Sequence, residues 1–382
     1  MSGSGELRRG VRYCVLVFVG LRVAVSLLSV LGIGLVPLLK MGVDVPGWPA
    51  PLITGGWHNA LGALERQDAL WFLRIADSGY RPDDGSAAFF PVYPILVRVA
   101  TALTGGRTLL AGILISNASF LGALIVLYGL TTSEFSEAHA RTAVMLLALF
   151  PTSFFFLAPY SESTFLLLAV TAFWCARRDR WALAALAAAL AAMTRSTGIV
   201  LAPALLAEAV LQHRERGVPL IPRAAAAAAT LAGPGLVLAS WAVTFDRALA
   251  PLDAQRRWQR ELTFPLRSLE DAVSEAVRSA DVWLLDLLIV AVVLACVVLG
   301  SRRLRIGYAV YAWASLALPL SYPFPSRPLL SVPRFSAVIF PAFWVLADLV
   351  ERGRLPRAAV AAAFAGGLSL CTVLFINWYD IF

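Results

Sequence analysis

The sequence predicts an all-α polytopic membrane protein with about eleven transmembrane helices. Three observations predict it. Hydrophobic residues make up 59% of the 382 positions and charged residues only 15%, the mean hydropathy is +0.75, and long apolar runs recur from one end of the chain to the other. A soluble domain does not carry that composition. Crossing a hydrocarbon core of roughly 30 Å at about 1.5 Å per residue takes about 20 apolar residues. A single integral membrane domain over 1–382 is therefore expected, with nothing left over for a separate soluble one. The net charge of +8 would suggest nucleic acid in a soluble protein. Here the arginines flank apolar runs, so they read as orientation signals facing anionic membrane lipids, and no nucleic-acid partner is expected.

Taken in order, Arg8, Arg9 and Arg12 precede an apolar run from Tyr13 to Val36. It is too long for a signal-peptide core and reads as an uncleaved first span with the N-terminus inside. Further runs fall at 109–131, 142–158, 163–177, 181–195, 198–212, 223–243, 282–300, 307–321, 336–350 and 358–376. With the N-terminus cytoplasmic, the inner loops carry Arg141, then Arg177, Arg178 and Arg180, then Arg214 and Arg216, then Arg302, Arg303 and Arg305, then Arg352, Arg354 and Arg357. That is the positive-inside pattern. The segment 89–103 is apolar but short and holds Pro91, Pro94 and Arg98. Counting it as a span would move every later arginine cluster outside, so it is expected to be re-entrant or interfacial. The first extracytoplasmic loop then runs over 37–108 with interfacial helices, a second large one over 244–281, and a third polar segment over 322–335. An active site has to be assembled from these. Alanine-rich stretches at 183–192 and 224–229 let membrane helices approach closely. No internal repeat is evident, which argues against a transporter built from inverted halves.

Cys14, Cys175, Cys296 and Cys371 lie in or at the ends of apolar runs without metal-ligand spacing, and His58, His139 and His213 are scattered. Neither a disulfide framework nor a zinc site is implied. Asp77, Asp83 and Asp84 form a small acidic patch that could hold a divalent ion, although turn and cap duties explain them as well. No cofactor is otherwise indicated.

The most informative stretch is 65–80. Trp71, Phe72 and Ile75 fall at helical spacing, so a short amphipathic helix in the membrane interface is expected, ended by Gly79. Asp68, at its start, reads either as a helix cap or as a general base held beside aromatics. Glu162 follows a span on the outer side and reads as a substrate-binding carboxylate or as a loop acid paired with an arginine. Arg195 and Arg334 lie outside, against the charge trend, where either a phosphate or a salt bridge would hold a guanidinium. Trp71, Tyr80, Tyr160 and Trp258 could stack on a sugar ring or lipid, or belong to the aromatic belt. Gln255 is a polar loop residue suited to a substrate contact.

In order along the chain, these residues resemble the PIG-V family of mannosyltransferases, within the glycosyltransferase-C superfamily. The blocks that carry the resemblance are Asp68-Ala69-Leu70-Trp71-Phe72 with Ile75-Ala76 and Gly79-Tyr80, Ala88-Phe89-Phe90-Pro91-Val92-Tyr93-Pro94, and Phe150-Pro151-Thr152-Ser153-Phe154-Phe155-Phe156 with Tyr160-Ser161-Glu162-Ser163. Arg195-Ser196-Thr197-Gly198, Ala254-Gln255 with Trp258 and Arg260, and Pro333-Arg334-Phe335 follow. Together they span roughly 66–335. Two positions depart from the pattern: Gln67 where the family usually has Trp, and Phe150 where Asn is common.

The resemblance implies an inverting glycosyltransferase that takes a sugar, mannose, from a polyprenyl-phosphate donor to a lipid or glycan acceptor on the extracytoplasmic face, in the plasma membrane for a bacterial-type member. Asp68 would be the catalytic base. Asp68, Glu162, Arg195 and Arg334 are expected to converge on one cavity. The competing classes are a transporter or flippase for lipid-linked sugar and a catalytically silent scaffold of a glycosylation complex.

Overall fold

The computed structural model describes residues 2–39, 45–49, 51, 56–257, 260–279, 282–325 and 327–379, and the side chains of 2–4, 6, 7 and 255–257 lie outside that description. Among the described residues the chain is helical, and the single strand-like feature is an isolated bridge between Phe324 and Arg327. Among the described residues six helices are long and apolar enough to cross a membrane: Arg8–Leu35, Thr108–Glu134, Ser196–Arg216, Leu220–Phe245, Val282–Gly300 and Arg357–Ile376. The protein is an integral membrane protein. Each of the six coincides with an apolar run of the sequence. The other runs form shorter helices, among them Trp181–Thr194 and Ile306–Leu320.

Two departures from the sequence pattern have local causes. The run 142–158 is not one helix. Glu137–Leu149 stops short of Pro151, whose ring disfavours a helical residue before it, and the chain turns through a 3-10 segment, Ser153–Phe156, before Glu162–Arg177 begins. The segment 89–103 forms Val92–Leu103. At about 1.5 Å per residue it rises only about 18 Å, short of a bilayer core.

The chain groups into two compact units. The first comprises Met1–Gly79, Tyr93–Leu167 and Leu346–Ile381, and the second comprises Tyr80–Val92 and Leu168–Val345. In the first, Ser2–Leu35 packs on Thr108–Glu134 and Arg357–Ile376. Gly32 permits the second contact, since a Cβ there would meet Val373 and Ile376 at 3.0–3.1 Å. Aromatic rings fill the interior, with Phe120 stacked on Phe156 at 4.6 Å and Phe155 edge-on to Phe375 at 5.1 Å. In the second unit Leu201–Arg216 packs on Ile306–Leu320, where Gly307 brings the backbones together: a Cβ there would lie 3.0 Å from the Ala204 carbonyl. Small residues at helix crossings supply van der Waals contact that lipid alone does not.

Candidate active site

In the first unit the stretch around Asp68 is built from the helix Asp68–Ser78 and the turn before it. The helix lies where the aromatic spacing puts it. Its residues from Ala69 through Ala76, Arg74 included, are buried, so protein surrounds it where sequence reasoning expected one face exposed at an interface. Arg74 explains how a cation is accommodated there. Its guanidinium sits 5.4 Å from the Trp71 ring and donates to the Gly79 carbonyl at 2.9 Å, closing the helix end. Asp68 is half-buried and is the first helical residue. The cap position is Gln67, whose side chain makes no capping bond. An anion in the first turn is favoured by the helix dipole.

Two positions before Asp68, Arg66 is fully buried. Burial lowers its guanidinium to about 10, against the opposing charge of Glu65. Tyr160 is fully buried as well, and its hydroxyl donates to the Arg66 carbonyl at 2.9 Å. Phe72 lies edge-on to Tyr93 at 5.1 Å and to Tyr160 at 6.2 Å. Glu162 is fully buried at the first position of Glu162–Arg177. Burial pushes the Tyr93 phenol up and the Glu162 carboxylate adds to that, while a hydrogen bond with Ser116 opposes it. Tyr93 also donates to the Gly112 carbonyl at 3.1 Å. Trp71 and Tyr160, for which the sequence offers either stacking or the aromatic belt, are both buried beside the turn and helix that carry Asp68.

In the second unit Arg195 and Arg334 come together. Arg195 is an extended residue between Trp181–Thr194 and the 3-10 turn Ser196–Val200. That break needs Gly198, because a Cβ there would collide with the backbone of Ala191 and Ala192. Arg334 is buried in the short helix Val332–Ser336, which opens with Pro333 in its first turn, a position proline favours. The Arg195 guanidinium lies 4.5 Å and the Arg334 guanidinium 4.9 Å from the one ring of Phe335. Two arginines 139 positions apart in sequence thus share an aromatic platform. The loop before Arg334 is fixed by Arg327, whose Nε and Nη2 both reach Asp286 Oδ2, at 2.8 and 2.5 Å. Sequence reasoning missed this buried pair, although Asp286 inside an apolar run and Arg327 in a loop read as external were the signals that could have shown it.

Also in this unit, the Tyr80 hydroxyl donates to the Phe89 carbonyl at 2.8 Å and its ring meets Trp241 edge-on at 5.5 Å. The side chain of Gln255 and the whole of Trp258 lie outside the described residues. No three His, Cys, Asp or Glu side chains gather as a metal set among the described residues. Asp84 accepts from the Ser86 amide at 2.9 Å, Asp83 pairs with Arg247 at 2.5 Å, and Asp77 accepts from the Ser78 hydroxyl at 2.7 Å.

A family profile described as Mannosyltransferase (PIG-V) matches residues 21–214. The chain belongs to the PIG-V mannosyltransferase family. The matched stretch contains Asp68, Glu162 and Arg195, and Arg334 lies beyond it. The human protein GPI alpha-1,6-mannosyltransferase 2 is 35% identical over 153 residues, 37% of this chain and 31% of that protein. Its Rattus norvegicus counterpart is 35% identical over 150 residues, 37% of this chain and 30% of that protein. The chain thus spans less than a third of the length of the curated relatives it matches. Among solved structures, apo ArnT from Cupriavidus metallidurans is similar with a TM-score of 0.55 at 15% identity, covering 96% of this chain and 77% of ArnT. The same protein bound to undecaprenyl phosphate gives 0.53 at 15% identity, covering 96% of this chain and 76% of ArnT. At that identity the likeness is one of fold, which this PIG-V family member shares with ArnT.

Proposed function

We propose that this PIG-V family member is an inverting mannosyltransferase that uses a polyprenyl-phosphate donor and a lipid or glycan acceptor on the extracytoplasmic face. The observation that carries the donor class is the gathering of Arg195 and Arg334 on Phe335. Planar guanidinium groups match the oxygens of a phosphate in pairs and stay charged in a water-poor setting. The same fold in ArnT has been solved with undecaprenyl phosphate, a ligand of that class.

In the reaction Asp68 takes the proton of an acceptor hydroxyl. The acceptor oxygen then bonds to the anomeric carbon from the face opposite the phosphate, the bond from that carbon to the phosphate oxygen breaks, and polyprenyl phosphate leaves with inversion. Charge builds on the leaving oxygen, and fixed cations aimed at developing charge lower the barrier. Glu162, a second carboxylate of the first unit, orients substrate hydroxyls. Tyr80, Gln255 and Trp258 are assigned further substrate contacts on the resemblance of their sequence blocks to the family.

The test is the purified protein with polyprenyl-phosphate mannose and a membrane extract, with the product identified. Asp68→Asn keeps size and most hydrogen bonding but removes basicity. A loss in kcat of about 100-fold or more is expected, within the range for general-base removal, with donor binding retained. Translocation of lipid-linked sugar without a new glycosidic bond would instead support a flippase. A fully active Asp68→Asn protein would rule out the base.

A further inference from the structure

We infer that Arg66 is a positioning residue for Asp68, working through a latch on the segment Ile376–Trp378; this rests on the reading of Asp68 as the base. The latch is wholly within the first unit. Arg66 Nε donates to the Ile376 carbonyl at 3.1 Å, Nη1 donates to the Glu65 carbonyl at 2.9 Å, and the guanidinium lies 5.1 Å from the Trp378 ring. Its own carbonyl accepts from the Tyr160 hydroxyl at 2.9 Å and from the Ala69 amide, in the first turn of the Asp68 helix, at 3.1 Å. Both ends of the residue are therefore held, the side chain by the end of Arg357–Ile376 and Trp378 beyond it and the backbone by Tyr160 and the helix start.

Between Arg66 and Asp68 stands Gln67 at φ 52°, ψ −124°. That conformation favours glycine and is strained for any residue with a Cβ. Such a turn persists only where its surroundings over-determine it. Arg66 supplies that restraint on one side of the turn. Relaxation at Gln67 would re-aim the backbone that carries Asp68. The far end of the latch is itself fixed. Asn377 Nδ2 donates to the Gly32 carbonyl at 3.0 Å and to Val373 at 2.9 Å, and the Leu39 amide donates to the Asn377 carbonyl at 3.0 Å. The position of the helix pair Ser2–Leu35 and Arg357–Ile376 is thereby transmitted to Asp68.

The alternative is that Arg66 merely supports the core, in which case its loss lowers the folded fraction but not turnover per folded molecule. The experiment uses the full chain, with kcat and donor KM measured on the monodisperse fraction. Arg66→Met is expected to lower kcat by about tenfold to 100-fold, the scale of a misplacement of up to about 1 Å, with donor KM within about twofold. Trp378→Leu should act in the same direction with a smaller loss. Adding Gln67→Gly to Arg66→Met should restore several-fold of the lost kcat, because glycine takes a positive φ without steric cost. In an Asp68→Asn background Arg66→Met should lower the residual rate no further, since no base remains to be positioned.

Unchanged kcat per folded molecule in both single variants overturns the proposal, as does an additive further loss in the Asp68→Asn background. Should Arg66→Met not fold, Trp378→Leu and its combination with Gln67→Gly carry the same test. If Asp68→Asn itself keeps wild-type turnover, the base assignment fails and the positioning role fails with it. If Asp68→Asn is inactive while Arg66→Met and Trp378→Leu are not impaired, only the positioning role fails.

Discussion

The turn that delivers Asp68 in the first unit and the turn that delivers Arg334 in the second are built on one plan with different chemistry. Each candidate residue sits at the start of a helix entered through a non-glycine residue with positive φ, Gln67 at 52° and Ser331 at 70°. Each has a buried arginine shortly before it, Arg66 and Arg327. Arg66 is held by main-chain carbonyls and an aromatic ring, whereas Arg327 is held by the Asp286 carboxylate. The Arg66 guanidinium is itself costly to bury, but its bonded partners are uncharged, so removing one of them strands no second buried charge. An ionic anchor at 8% and 2% side-chain exposure gains little net stability over an apolar replacement, yet costs much when one charge is removed, because the other stays buried.

Asp286→Ala gives the largest expected effect on stability. Taking the carboxylate away from a buried guanidinium costs about 3–5 kcal/mol, read as a large drop in melting temperature in detergent. The joint replacement Asp286→Leu with Arg327→Met should recover most of it, because two apolar side chains leave no buried charge. If Asp286→Ala costs no more than Trp378→Leu, which removes only an uncharged partner of Arg66, the two anchors are equivalent and the distinction fails.

Arg334→Lys keeps the charge but loses the planar fork. A hydrogen bond to a charged group contributes about 1.5–3 kcal/mol, so kcat/KM for the donor should fall roughly 10–100-fold. Arg195→Lys should cost less, since Arg195 is only partly buried where Arg334 is buried. Equal and small losses would remove the arginine pair from donor binding.

The spans were legible because hydropathy is written in consecutive residues. The break at Arg195 was legible because Gly198 and the polar run 194–197 interrupt an alanine-rich helix. Asp68 and its helix were legible because aromatic spacing is local. The anchors were not. Arg66 meets Ile376 across 310 positions and through a main-chain carbonyl, which leaves no residue-type signal at the partner. The chemistry of Tyr160 suits either a stacking ring or a place in the aromatic belt. Its hydroxyl instead serves the Arg66 carbonyl, a role visible only once the chain has folded. The run 142–158 read as one span because Phe and Leu on both sides of Pro151 are equally apolar, and the turn there is set by a proline whose effect hydropathy does not register.

Glu65 sharpens the comparison through pH. Burial raises its carboxyl above the usual range, while a hydrogen bond from Trp48 at 3.0 Å and the charge of Arg66 oppose the rise. The folded state therefore holds this proton more readily than the unfolded chain does. The cost of burying the charge is present at neutral pH and fades as pH falls through the raised value. Glu65→Gln, which keeps an acceptor for Trp48, should raise the melting temperature at pH 7 and lose that advantage in acid. A variant less stable than wild type at pH 7 would mean that the Glu65 charge supports the latch.

The smallest expected effect, Asp77→Asn, controls for the helix as a whole. Asp77 lies on the same helix as Asp68, nine positions on, but is exposed, and its Oδ2 accepts only the neighbouring Ser78 hydroxyl at 2.7 Å among the bonds resolved. Asparagine can accept the same bond. A surface substitution of this kind changes stability by no more than about 0.5 kcal/mol, so the melting temperature should barely move and kcat should stay within about twofold of wild type. Asp68→Asn alters one atom type in the same way at the other end of the helix, where the strained turn and the latch converge. A shared large loss would mean that the helix responds to any lost carboxylate and that Asp68 has no special role. A loss confined to Asp68→Asn assigns the effect to the residue at the turn.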